Sequence, residues 1–208
     1  MQSAEAAEVI PFPLLFESLG SPPPASLDPV LDATVECVAR HGLAKTSLSD
    51  IARELRVAPS TVYRKVGSVE NAALLVIARE GHRMLDRMPD VVAGVEGPRV
   101  ITVFLVESIE TCLRHPMVAK VMRDETDWVG RYATRRLDEL FGRAAEVAAP
   151  LLAEAMANGF VREQDPLALA HWIVRIGTMC LVAPPPGDLG QAIDDLLLPV
   201  LEPKGSAR

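Results

Sequence analysis

The chain has 208 residues, 49% of them hydrophobic and only 4% aromatic, with a formal net charge of −7. That length supports one or two domains with real cores, and the Ala, Val and Leu content, with no Asn-Gly or Asp-Gly turn joining alternating apolar runs, excludes a sheet protein in favour of an all-α one. No run of 18 apolar residues occurs; the best stretch, 173–182, is short and contains Arg175, so no membrane partner is expected.

Residues 1–27 form an extended arm with three acids and no base, and six of the 17 prolines fall within residues 1–29. The acidic start has no positive n-region, so a signal peptide is not expected and the protein is placed in the cytoplasm. An acidic arm is repelled by phosphates. Its apolar patch, Phe12 to Phe16 with Leu19, either docks on the body or a partner, or the arm stays a disordered tail.

The first helix is predicted over 28–41, with Leu31, Val35, Val38 and Ala39 on one face and Gly42 as the stop. A second starts at Ser47, whose hydroxyl caps it, with Asp50 three positions on as in a capping box. Leu48, Ile51, Ala52 and Leu55 then recur at helical spacing. Val57 is the apolar residue that a short turn buries between two helices, and Pro59 suits the first position of a third helix, running to about 65. Val62 and Val66 face the core, which leaves Ser60, Thr61, Tyr63, Arg64 and Lys65 turned outward. Two short helices about a tight turn, with small hydroxyls, a tyrosine and two cations on the second, have the shape of a helix-turn-helix that enters a DNA major groove. Small Ser60 and Thr61 permit close approach, Tyr63 offers a hydroxyl on a rigid arm, and Arg64 and Lys65 supply charge for phosphates. The plainer alternative is a helical hairpin with a solvated polar face.

Ala39-Arg40-His41-Gly42, the Thr46-Ser47 cap leading to Leu55, Val57, Thr61-Val62-Tyr63 and Ser68-Val69-Glu70 together make 28–80 similar to the DNA-binding domain of the TetR family of transcriptional regulators. Three positions depart from that pattern: Arg56 stands where Gly usually precedes the Val, Val66 where an aromatic is common, and Val69 where a lysine is common. With Arg at position 56, the turn is expected to need no positive φ there. The resemblance implies DNA contacts from Thr46, Ser47, Pro59, Ser60, Thr61, Tyr63, Arg64 and Lys65, and a three-helix head joined by a long fourth helix to a helical body that binds a ligand and dimerises.

Charge fits this division. Residues 28–80 carry seven bases and seven acids, and 81–208 carry 14 bases and 18 acids. The local positive surplus lies between Arg53 and Lys65, so an acidic bulk with a basic edge orients the molecule on approach to DNA.

The long fourth helix is predicted over 68–88, with a break at 89–98 around Gly94 and Gly97. Helices then follow at 99–113, 117–123, 127–157, 166–182 and 189–201. The middle helices carry Phe104, Cys112, Met117, Met122, Trp128 and Tyr132. This mixture suits either plain core or an apolar cavity with a few polar groups, and the resemblance implies a small-molecule effector held there. Arg175, on an otherwise apolar helix, needs a partner: a ligand carboxylate or an acid across a subunit interface. Trp172, Ile176, Met179, Ile193 and Leu197 lie on apolar stripes of the last two helices, which the resemblance makes a homodimer interface. Two-fold symmetry then sets two reading helices about 34–36 Å apart on a palindromic operator.

No H-E-x-x-H, G-x-S-x-G or phosphate-cradling loop is found, so an enzyme is not expected. Cys37, Cys112 and Cys180 read as small buried hydrophobes, and the four histidines show no i, i+4 pairing, so neither metal nor cofactor is expected. The expected function is a repressor released from its operator by an apolar or amphipathic effector. The alternative is a helical adaptor of the same fold that has lost operator binding.

Overall fold

A computed structural model describes residues 21–203, with the side chains of 126–140 and 143 outside that description. Trp128 and Tyr132 therefore lie outside the described side chains, and the arm patch at 12–19 outside the described residues. Among the described residues there are helices and no strand. A single turn at Ala25–Leu27 leads into α1 (Asp28–His41), α2 (Leu48–Leu55), α3 (Pro59–Val66), α4 (Val69–Val91), α5 (Arg99–Arg114), α6 (Pro116–Asp124), α7 (Thr126–Ala157), α8 (Pro166–Val182) and α9 (Leu189–Leu201). The chain divides into two compact units, one of residues 21–84 and 112–135, the other of 85–111 and 136–203.

The bounds follow local chemistry. Asp165 accepts from the N–H groups of Leu167 and Ala168 and so caps α8, with Pro166 at its first position. Asp188 caps α9 through Gln191 N–H at 2.7 Å. The break expected at 89 comes later, because α4 runs through Pro89 to Val91. Proline removes one N–H, but Leu85, Met88 and Val92 are almost wholly buried on either side of it, and Val92 N–H still reaches the Met88 carbonyl at 2.9 Å.

In the first unit, Leu31 and Val38 of α1, Ile51 of α2, Val62 and Val66 of α3, and Val76 of α4 make one apolar core. Burying each such side chain contributes about 1.5–3 kcal/mol. Met117 of α6 belongs to that core, with Val121 packed against it, and α6 lies on α1. Arg79 of α4 is buried and holds Asp28 at 3.1 Å, Asp32 at 2.8 Å and Glu80 at 3.0 Å, which ties α4 to α1. Burial opposes its charge, but hydrogen bonds to Asp28 and Asp32 outweigh that and raise its pKa.

In the second unit, Thr102 Oγ1 donates to Asp194 Oδ1 at 2.5 Å and Arg99 pairs with Asp194 Oδ2 at 2.9 Å, which joins α5 to α9. α8 crosses α5 at Gly177, where an added Cβ would come within 2.9 Å of Leu105 Cδ1. Ile193 and Leu197 are 1% and 3% exposed. That corrects their assignment to a subunit interface, since the inner face of α9 is already taken by its own unit. Exposed apolar residues include Leu167, Trp172, Met179 and Val182 on α8 and Leu196 on α9, and Ile176 of α8 is half-buried. Arg175 donates from Nη1 to the His171 carbonyl at 3.1 Å and lies 5.3 Å from the centroid of the Phe141 ring. Its partners are thus a carbonyl and an aromatic face of its own unit. Cys37 and Cys180 are buried and Cys112 half-buried, and burial pushes all three thiols up.

Candidate nucleic-acid interface

The α2–α3 hairpin is built from its turns. Ser47 Oγ accepts from Asp50 N–H at 3.2 Å, and the Ser47 N–H donates back to Asp50 Oδ2 at 3.0 Å, so the capping box expected from sequence is complete. Asp50 Oδ1 also accepts from Arg53 at 2.8 Å. The Ser47 hydroxyl first, then its backbone N–H and Arg53, hold the Asp50 carboxyl down to about 2.

α2 ends in a left-handed residue, and the expectation for Arg56 is overturned: it has φ 57° and ψ 41°. Arg56 N–H reaches the Arg53 carbonyl at 3.2 Å and Val57 N–H the Ala52 carbonyl at 3.0 Å, the bond pair of a Schellman cap. Those bonds satisfy the last carbonyls of α2 and outweigh the cost of a side chain at positive φ. Val57 is also corrected. It is 41% exposed, because the cap directs its backbone to Ala52 and leaves its side chain outside the core.

α3 then starts at Pro59, with Val62 and Val66 buried and Ser60, Tyr63, Arg64 and Lys65 exposed. Tyr63 is 63% exposed, unusual for so large an aromatic ring, and Thr61 is half-buried beside it. Lys65 Nζ donates to the Ser26 carbonyl at 3.1 Å, which places the chain just before α1 beside the end of α3. Val69, where a lysine was the alternative, is in the core.

Thr46 plays a different part from its neighbours. It is buried, and its hydroxyl donates to the Gly42 carbonyl at 2.6 Å, so it holds the turn from behind and presents no hydroxyl outward. Ser47 is exposed, as is Lys45, one of the seven bases of 28–80. The outer surface of α2, α3 and the preceding turn therefore offers Lys45, Arg53, Arg56, Arg64 and Lys65 with one aromatic hydroxyl.

Sequence spacing also gave no sign of Glu125, which reaches this turn from the junction of α6 and α7. Its carboxylate accepts from Leu43 N–H, and from Ala44 N–H at 3.0 Å. Of the residues considered for an effector, Phe104 and Arg175 belong to one unit, and Cys112, Met117 and Met122 to the other.

Residues 30–68 match the family model for bacterial regulatory proteins of the tetR family. No curated protein matches the sequence. Solved structures share the fold. A tetR-family transcriptional regulator from Pectobacterium atrosepticum is similar with a TM-score of 0.61 at 19% identity, over 85% of this chain and 94% of that one. The fatty acid degradation regulator FadR from Bacillus halodurans gives 0.58 at 17% identity, over 84% of this chain and 94% of its own. SmeT, in a complex with triclosan, gives 0.59 at 20% identity, over 88% and 94%.

Proposed function

We infer that the chain, with a tetR-family match at residues 30–68 on a fold shared with tetR-family regulators, is a DNA-binding transcriptional regulator of that family. The observation that carries this reading is the face of α3. Val62 and Val66 anchor the helix, while Ser60, Tyr63, Arg64 and Lys65 stand clear of the core. A helix so placed presents small side chains at the point of closest approach to base edges. Tyr63 donates or accepts one bond through its hydroxyl, and Arg64 and Lys65 neutralise phosphates. Pro59 and Ser47 lie at the starts of α3 and α2, where helix dipoles favour a phosphate. Thr46 acts by keeping the turn in place.

The regulator works as a homodimer on a palindromic operator. Trp172, Ile176 and Met179, with Val182 and Leu196, form an apolar face that a two-fold partner covers by presenting the same face. A small apolar or amphipathic effector releases it, acting as a population shift no larger than the effector's differential affinity for the two forms. SmeT, bound to triclosan, supports a ligand of that class on this fold.

Selection from a pool of random duplex DNA tests the reading. A two-fold palindrome is expected among the bound sequences. Tyr63→Phe then weakens that site by about 1–3 kcal/mol, and Lys65→Ala weakens all sequences evenly and reduces the salt slope by about 1. A folded protein that enriches no sequence at low salt is instead the helical adaptor.

A further inference from the structure

Glu125 stands 82 residues from Leu43 in sequence, yet its two carboxylate oxygens take the N–H groups of consecutive residues, Leu43 and Ala44. We propose that Glu125 is the positioning residue of the reading head, fixing the turn between α1 and α2 and thereby the placement of α2 and α3 on α1. The proposal rests on the regulator reading above.

Three observations converge on it. First, these N–H groups lie just past α1, where Gly42 turns the chain at φ 87° and neither group has a helical partner. A carboxylate that accepts both is charge-assisted at each bond. Second, the carboxylate packs against Gly42 itself. A Cβ there would come closer to Glu125 Oε1 than van der Waals contact allows and would push the carboxylate aside, so glycine suits this approach as well as the positive φ. Third, Met117 and Val121 bury the remainder of α6 against α1, so the carboxylate is delivered by a packed helix and not by a free loop.

Directly beyond the clamped turn come Lys45, Thr46 and Ser47. Thr46 bonds the Gly42 carbonyl and Ser47 caps α2, so the turn held by Glu125 is also the one that starts α2. On the other side Glu125 immediately precedes α7, whose later residues belong to the second unit. A displacement at the start of α7 therefore pulls on the backbone at 43–44 before it reaches any base-contacting side chain.

The test uses the full-length protein, with the duplex it selects and a scrambled duplex of equal length. Amide hydrogen exchange at Leu43 and Ala44 is followed in parallel. In Glu125→Ala, affinity for the selected duplex falls about tenfold to a hundredfold, from the loss of two charge-assisted bonds. Affinity for the scrambled duplex changes less than about threefold, since phosphate contacts remain, and both amides exchange faster. Glu125→Gln gives an intermediate loss, because its amide accepts one N–H and sets an NH2 against the other. Val76→Ala, a cavity elsewhere in the same core, lowers the melting temperature and leaves the ratio of the two affinities alone. A folded Glu125→Ala that binds the selected duplex within about twofold of the parent overturns the proposal. If that variant does not fold, Glu125→Gln at parental affinity overturns it equally. If the parent binds no duplex, the regulator reading fails instead, and unchanged exchange at Leu43 and Ala44 in Glu125→Gln is what removes the clamp.

Discussion

Arg56 closes α2 in the left-handed region, where a side chain costs roughly 1–2 kcal/mol relative to the right-handed conformation. The Schellman pair to Ala52 and Arg53 carries that cost, and glycine would not incur it. Arg56→Gly is therefore expected to raise stability by about 0.5–1 kcal/mol, partly offset by the greater freedom of glycine in the unfolded chain, as a higher urea midpoint at unchanged slope. A lower midpoint would show that the arginine side chain holds the turn by contacts of its own. Asp50 gives a second prediction. Its folded pKa, about 2, lies below the unfolded value near 3.8, so its stabilising effect is full above about pH 4 and is lost as pH falls towards 2. The stability difference between the parent and Asp50→Asn should be flat above pH 4 and shrink below it. A difference that persists at pH 2 contradicts the capping box as its source.

Elements were legible to the extent that their own residues terminate them. Pro166 with Asp165, and Asp188, set the starts of α8 and α9 at the expected residues, because a proline at the first position and a carboxylate cap act locally. Ser47 with Asp50 did the same for α2. What stayed hidden was which surface each stripe meets. The pattern on α9 marks Ile193, Leu196 and Leu197 alike as apolar, but only packing turns Leu196 to solvent and the other two inward. Met117 likewise reads as either core or cavity lining, and only packing places it in the core that α1 shares with α6. Glu125 left no local signal, since a carboxylate at a helix junction is ordinary until a turn 82 residues away supplies its two donors. For the candidate site, the exposed face of α3 was readable from the spacing of Val62 and Val66, whereas the inward hydroxyl of Thr46 and the left-handed Arg56 depended on the folded turn.

At the scale of the whole molecule, among the described residues α8 and α9 leave large apolar side chains to water. Trp172 is 66% exposed and Met179 59%, and large aromatic and thioether side chains of this kind are typical anchors of interfaces. Light scattering at micromolar concentration is expected to give twice the chain mass, and Trp172→Asp to give the single chain with its helical content intact. A dimeric Trp172→Asp would move the interface elsewhere. If two linked heads bind a palindrome together, as proposed, the monomeric variant loses affinity for the selected duplex far more than for one half of it.

The guanidinium of Arg79 gives the molecule a useful asymmetry. It is itself buried, although Asp32 beside it is largely exposed, and so is screened less by dissolved ions than Arg53, Arg56, Arg64 and Lys65, which face water. Raising potassium chloride is therefore expected to weaken the proposed phosphate contacts before it loosens the joint between the first and fourth helices. A melting curve taken at each salt concentration checks that the joint holds over the range in which the binding slope is read.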